Sequence, residues 1–237
     1  MLRTQPGTAP ALVNSARVSG LAALGFAFLI VAGNVVLVPA GLPRTGTGIA
    51  EVEEFFRAHG GLVGVGSAVT PVAWVLATLF GAGAVHVLWR SERDRGDAWA
   101  LFGFAGLVLQ NAVFAGVVAI RLALASTAAD GVGAAGGLWA LHDALFTLNG
   151  TFLAVALVGL SLAGLRAGLI RPWHGGWGLV SAALLSCSAV LTPLVIDHDG
   201  PLGLLGLAGW LMWVVWLVVY GLALMRRVPV PGPPTGG

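Results

Sequence analysis

The stretch LGLLGLAGWLMWVVWLVVYGLALM, residues 202–225, contains no charged side chain and runs directly into Arg226 and Arg227. At about 1.5 Å of rise per residue, such a run makes a helix of roughly 36 Å, enough to cross a hydrocarbon core of about 30 Å. It is continuous rather than alternating, which disfavours a transmembrane strand with its two-residue period. Working outward, the segments 18–38, 62–89, 98–125, 138–165 and 177–196 meet the same length requirement. The sequence therefore predicts an all-α, polytopic integral membrane protein folded as a six-helix bundle. Its transmembrane domain covers 18–225 and lies between tails at 1–17 and 226–237.

Composition agrees. Of 237 residues, 57% are hydrophobic and 9% charged, with a mean hydropathy of +0.92. That leaves too few charges to coat a water-facing surface and excludes a soluble globule. All 12 basic residues are arginines, held in short clusters between apolar runs. A net charge of +2 and a pI near 9.5 therefore describe loop arginines, and no basic stripe with interleaved aromatics exists to bind nucleic acid. The single Cys187 removes intrachain disulfides and cysteine-cluster metal sites.

Arg3 and Arg17 precede the first apolar run, and Val38-Pro39-Ala40 loosely imitates a signal-peptidase site. We read a retained helix, because the run is longer than the roughly 7 to 15 residues of a signal core and proline is unfavourable beside a cut. Arg3, Arg17, Arg90, Arg93, Arg95, Arg166, Arg171, Arg226 and Arg227 then fall on one side, and Arg44, Arg57 and Arg121 on the other. Positively charged loops stay cytoplasmic, so both termini are expected inside. Trp89, Trp99, Trp173 and Trp177 mark helix ends on that side and Trp139 an outer end, as an interfacial belt requires.

In the longest connection, Ile49, Val52, Phe55 and Phe56 follow helical spacing, which predicts a short amphipathic helix over about 49–58 on the outer surface. Its Glu51, Glu53 and Glu54 read as a solvated face or as part of a lid. The glycines of Gly60-Gly61-Leu62-Val63-Gly64 and Gly81-Ala82-Gly83 lie in or beside a span rather than between a strand and a helix. They therefore read as helix packing, with Gly60 and Gly64 at GxxxG spacing, and not as a phosphate loop. Pro71 and Pro193 predict kinks.

Polar depth carries the functional reading. The third span holds Gln110, Asn111 and Arg121, and the fourth His142, Asp143 and Asn149. Counting from the outer ends, Arg121, His142 and Asp143 lie about 6 to 8 Å below the surface, while Asn111 and Asn149 lie near the middle. Charges in lipid are costly, so Arg121 and Asp143, at matching depth on consecutive helices, are expected to pair. Gln110, Phe114, Val117 and Arg121 share one face of the third span; His142 and Asn149 share one of the fourth. This polar seam is either a device holding two helices together or the wall of an outward-facing cavity. Trp213 and Trp216, with Trp210 and Tyr220, are deeper than a belt requires and form either packing or an aromatic wall for an apolar or cationic ligand. Asp197-His198-Asp199 and His59 supply metal-ligand residue types without diagnostic spacing, so no metal and no cofactor is assigned.

Three stretches of the second half resemble uncharacterised multi-pass membrane proteins of high-GC actinobacteria. They are Leu138-Trp139-Ala140-Leu141-His142-Asp143-Ala144-Leu145-Phe146, the turn Gly168-Leu169-Ile170-Arg171-Pro172-Trp173, and the Trp-rich last helix ending in Arg226-Arg227. The resemblance covers roughly the C-terminal 100 residues. It implies a bacterial inner-membrane location and this fold, and brings no catalytic residues.

The leading expectation is an inner-membrane protein that binds or moves a small, partly apolar or lipid-like molecule through an outward-facing cavity. Gln110, Asn111, Arg121, His142, Asp143 and Asn149 would line it, with Trp213 and Trp216 as the wall. A second class is a membrane-embedded enzyme acting on a lipid or isoprenoid, with Asp143 or His142 moving the proton. A third is a purely structural or partner-binding membrane protein. Polar access from the inner half is confined mainly to His86, which weakens a channel or pump.

Overall fold

The computed structural model describes residues 8–127, 135–197 and 201–226. Its helices are α1 (Thr8–Leu37), α2 (Ile49–Ala68), α3 (Thr70–Arg93), α4 (Trp99–Thr127), α5 (Ala135–Arg166), α6 (Pro172–Val190), α7 (Thr192–Asp197) and α8 (Gly203–Met225). No strand occurs among the described residues. Five helical segments are long and apolar enough to cross a membrane: Ser15–Leu37, Ile49–Arg93, Trp99–Thr127, Ala135–Arg166 and Gly203–Met225. The tails 1–7 and 227–237, and His198 and Asp199 of the Asp-His-Asp run, lie outside the described residues.

Prolines punctuate the helices where they were expected to. Pro71 stands in the first turn of α3, just after the break at Val69, and Pro193 in the first turn of α7, after the break at Leu191. Proline lacks an N–H and is tolerated only where that donor has no helical partner.

The expected surface helix over 49–58 is longer than its amphipathic pattern implied. It is the first half of α2, which bends at His59 (φ −121°, ψ 17°) and continues to Ala68. Val52, Phe55 and Phe56 are buried against Ile120, Leu124 and Trp139, so this half is packed onto α4 and α5. The remainder runs antiparallel to α1, with Gly66 against Leu37, and the same register continues into α3, where Gly25 meets Leu76 and Gly83 meets Ser19.

The helices form a closed ring in the order α1, α3, α4, α5, α6, α8 and back to α1. Every neighbour is antiparallel. Between α4 and α5 the register is set by Gly103 and Gly106 against Gly159 and Ala156. A Cβ on Gly103 would lie 2.7 Å from the Leu160 backbone nitrogen, and one on Gly106 2.5 Å from that of Ala156. The backbones touch there, as small residues allow in lipid, where packing rather than hydrophobicity holds helices together. Gly20 and Gly221 make the equivalent contact between α1 and α8. The expected Gly60–Gly64 pair does not behave this way. A Cβ on Gly60 would meet Ala125 at ordinary distance, and one on Gly64 would meet nothing within 4 Å among the described residues.

α6 and α7 together run beside α5 from Gly175 at Leu165, through Gly178 at Ser161 and Leu185 at Gly150, towards the loop glycine Gly46, which meets both Asp143 and Ile196. The interior of the ring is filled by Phe26, Phe80, Leu157, Trp216, Leu217 and Tyr220.

One end of the ring, the basic end, carries Arg90, Arg93, Arg95, Arg166, Arg171 and Arg226. There Glu92, only 2% exposed, accepts the Ala100 N–H at 2.7 Å, so a carboxylate from α3 occupies a free donor at the start of α4. Asp97 accepts from Arg166 at 2.6 Å and from Arg95 at 3.1 Å. These two bonds hold its carboxyl below the ordinary value of 3.8, the Arg166 bond contributing most.

Candidate functional site

The polar side chains of α4 and α5 fall into two layers. The first lies at the end of the ring opposite the basic end. Arg121 Nε donates to His142 Nε2 at 3.0 Å, and His142 Nδ1 lies 3.0 Å from Asp143 Oδ1. Accepting from a guanidinium requires a bare Nε2, so the imidazole carries its proton on Nδ1 and donates it to Asp143. Asp143 Oδ2 accepts the Gly46 N–H at 2.9 Å. Gly46 adopts φ +86°, a region L side chains rarely enter, and a Cβ there would stand 3.1 Å from the Ile196 carbonyl oxygen. One relay thus ties α4, α5 and the loop before α2 together.

The imidazole is also held by rings of its own helix. Trp139 stacks on it at 4.4 Å and 10°, and Phe146 at 5.9 Å and 7°. These residues stand at i−3 and i+4, the positions that share a helix face. The Arg121 guanidinium lies 5.9 Å over the Phe146 ring. Sequence spacing brought Arg121, His142 and Asp143 to one height, but the expected direct Arg121–Asp143 pair is not formed, because His142 stands between them; the partners it missed are the Gly46 backbone and the two stacked rings. Of these, only the i−3, i+4 aromatic spacing was readable in advance.

The second layer lies about ten residues along α4, roughly 15 Å from the first. The α4–α5 register brings Gln110 and Asn111 to the height of Asn149. Gln110 falls on the stripe of α4 that carries Gly103, Gly106 and Arg121, and Asn149 on the facing stripe of α5 with His142, Ala156 and Gly159. Both are buried, each 7% exposed. Gln110 Oε1, Asn149 Oδ1 and both polar atoms of the Asn111 side chain are buried without a hydrogen-bond partner. Phe114 and Phe146, 6.5 Å apart, stand between the two layers along α4 and α5, with Phe146 43% exposed.

Trp213 and Trp216 lie elsewhere. Trp213 packs edge-on to Phe26, and Trp216 packs on Tyr220 and His174, with its carbonyl 3.0 Å from His174 Nε2. His174 opens α6 beside the basic end, so the Trp216 ring belongs to the packed centre and the opposite half of the ring from Arg121.

Chemically, the relay is a clamp: both nitrogens of His142 and both oxygens of Asp143 are occupied. The carboxamide layer has unused hydrogen-bonding capacity at mid-height. Among the described residues, no group of three histidine, cysteine or carboxylate side chains is placed to hold a metal ion. No family model, curated protein or solved structure matches the chain.

Proposed function

We propose that this chain crosses a bacterial inner membrane six times with both termini cytoplasmic, and that its α4–α5 seam binds or moves a small, partly apolar molecule entering from the outer side. The sixth crossing is α6 with α7, a reading supported by their antiparallel register along the full height of α5. The meeting of α1 with α8 supports an even number of crossings, and the arginine bias supports the orientation. Cysteines placed singly at Asp94 and at Ala50 in a Cys187→Ser background test this. Asp94→Cys should resist an impermeant thiol reagent in intact spheroplasts and Ala50→Cys should react; the reverse pattern overturns the orientation.

The observation that carries the ligand reading is the unpartnered carboxamide layer of Gln110, Asn111 and Asn149. A buried amide without a partner costs about 1 to 3 kcal/mol, more than a merely structural seam has reason to retain. A polar head satisfying these amides, with its apolar body against Phe114 and Phe146, is the division of labour of a ligand pocket. A ligand entering from the outer side meets the Arg121–His142–Asp143 clamp before this layer, and release of the clamp would free the 41–48 loop. Acid–base catalysis by His142 or Asp143 is the weaker reading, because neither residue has a free atom for a substrate.

Protein extracted in mild detergent and weighed intact by native mass spectrometry should carry a bound non-protein mass. That mass should be lost in Gln110→Leu/Asn149→Leu and kept in Trp213→Phe. No bound mass in the wild type, together with a more heat-stable double variant, would reduce the layer to helix packing.

A further inference from the structure

At the basic end, far from both polar layers, a groove of about 630 Å³ opens between the start of α6 and the end of α8. Arg171, Trp173, Val219, Leu222, Ala223 and Arg226 line it. We infer that this groove binds the phosphate-bearing head of an anionic phospholipid. The inference needs only that the chain spans a bilayer and does not rest on the α4–α5 site.

Charge identifies the head. Arg171 and Arg226 are exposed, and neither makes an ion pair among the described residues, whereas Arg95 and Arg166 share Asp97. Arg171 is the last residue before α6, and Arg226 the first after α8. Two guanidiniums from different elements therefore face one groove at the level where the apolar part of α8 ends. Planar guanidinium forks match phosphate oxygens, and basic pockets between membrane helices are lipid-headgroup sites.

The rest of the lining favours a lipid over a free anion. Val219, Leu222 and Ala223 form a floor on one face of α8, and that face continues towards mid-bilayer through Val215, 49% exposed, and Leu211, 52% exposed. An acyl chain lying on this stripe covers apolar surface that a dissolved phosphate leaves bare. Trp173, 58% exposed, stands at the mouth, where an indole sits among headgroups.

The test titrates the full chain in a neutral detergent with phosphatidylglycerol and with phosphatidylcholine of identical acyl chains, counting bound lipids by native mass spectrometry. Phosphatidylglycerol should bind in preference. Neutralising either arginine, in Arg171→Gln or Arg226→Gln, should weaken it about fivefold, and the double variant by the product of the two. Arg90→Gln removes an exposed arginine of the same end outside the groove and should change nothing. Ala223→Phe fills the floor and should lower lipid occupancy at unchanged charge. Equal binding of the two lipids, or equal loss in Arg90→Gln, overturns the proposal. Full displacement of the lipid by millimolar inorganic phosphate also overturns it, leaving a free-anion site. Each variant is compared at matched melting temperature, so a folding defect is read separately.

Discussion

Arg121 and Asp143 do not touch; His142 stands between them and makes one hydrogen bond to each. The charges are therefore coupled through a neutral ring, and the ring is fixed by the charges. Removing His142 leaves both charges without that bond, and removing either charge leaves one ring nitrogen unmet. Asp143→Ala should cost about 3 kcal/mol of stability in detergent, the scale for breaking a buried ionic group. Replacing the set with Arg121→Met, His142→Phe and Asp143→Leu should recover at least half of that, because no charge is then stranded. Unfolding midpoints of the single and triple variants decide the matter; strictly additive losses would mean that the three side chains act independently.

Gly46 and Gly41 both have positive φ, but only Gly46 is hemmed in. Forcing an L residue into that region costs about 1 to 2 kcal/mol. Gly41→Ala should show that cost alone, since nothing lies within 4 Å. Gly46→Ala adds the encounter with the Ile196 carbonyl and should lose clearly more. Equal melting shifts would show that the loop moves freely away from Asp143.

The α4–α5 seam predicts a sharp contrast among glycines. Gly103→Ala and Gly159→Ala drive a methyl into the facing backbone and should each destabilise by about 1 to 3 kcal/mol. Gly116→Ala meets only Leu145, at 3.6 Å, and should be neutral or slightly stabilising through better helix propensity. Thermal denaturation in one detergent ranks them directly.

Asp97 supplies a pH dependence with a defined sign. Its folded carboxyl titrates below the ordinary 3.8 because Arg166, and then Arg95, favours the ionised form. That contribution is fully present above 3.8, declines as pH falls below it, and is gone below the folded value. The wild type should therefore lose its margin over Asp97→Asn as the pH falls below 3.8. The site is exposed, so the margin is small. A margin that instead grows on acidification would contradict the pairing.

The five long apolar segments were legible because lipid demands long apolar runs with all backbone bonds closed within the helix, and Pro71 and Pro193 marked breaks for equally local reasons. Matching depth on consecutive helices likewise brought Arg121 to the height of His142 and Asp143. What escaped depends on side-chain direction and distant register. His142 and Asp143 are adjacent, hence about 100° apart around a helix, and spacing alone does not reveal that one bridges to the other. Glu92 serves α4 from seven residues before its start, beyond the reach of a local capping pattern. The Gly103–Gly159 contact needs two helices in register, whereas the GxxxG spacing of Gly60 and Gly64 was visible on one and makes no close backbone contact at Gly64.

The ring order has a consequence for biogenesis. Each helix lies beside its predecessor in the ring, so a chain leaving the ribosome can assemble by adding neighbours, and Glu92 can meet Ala100 almost as soon as both have emerged. The exception is the final closure. Until α8 arrives, Gly20, Ala23 and Phe26 on α1 have nothing on the side where Gly221 and Trp213 will sit. A nascent protein stopped before residue 203 is an open arc with two unsealed edges, and α8 turns it into a closed object.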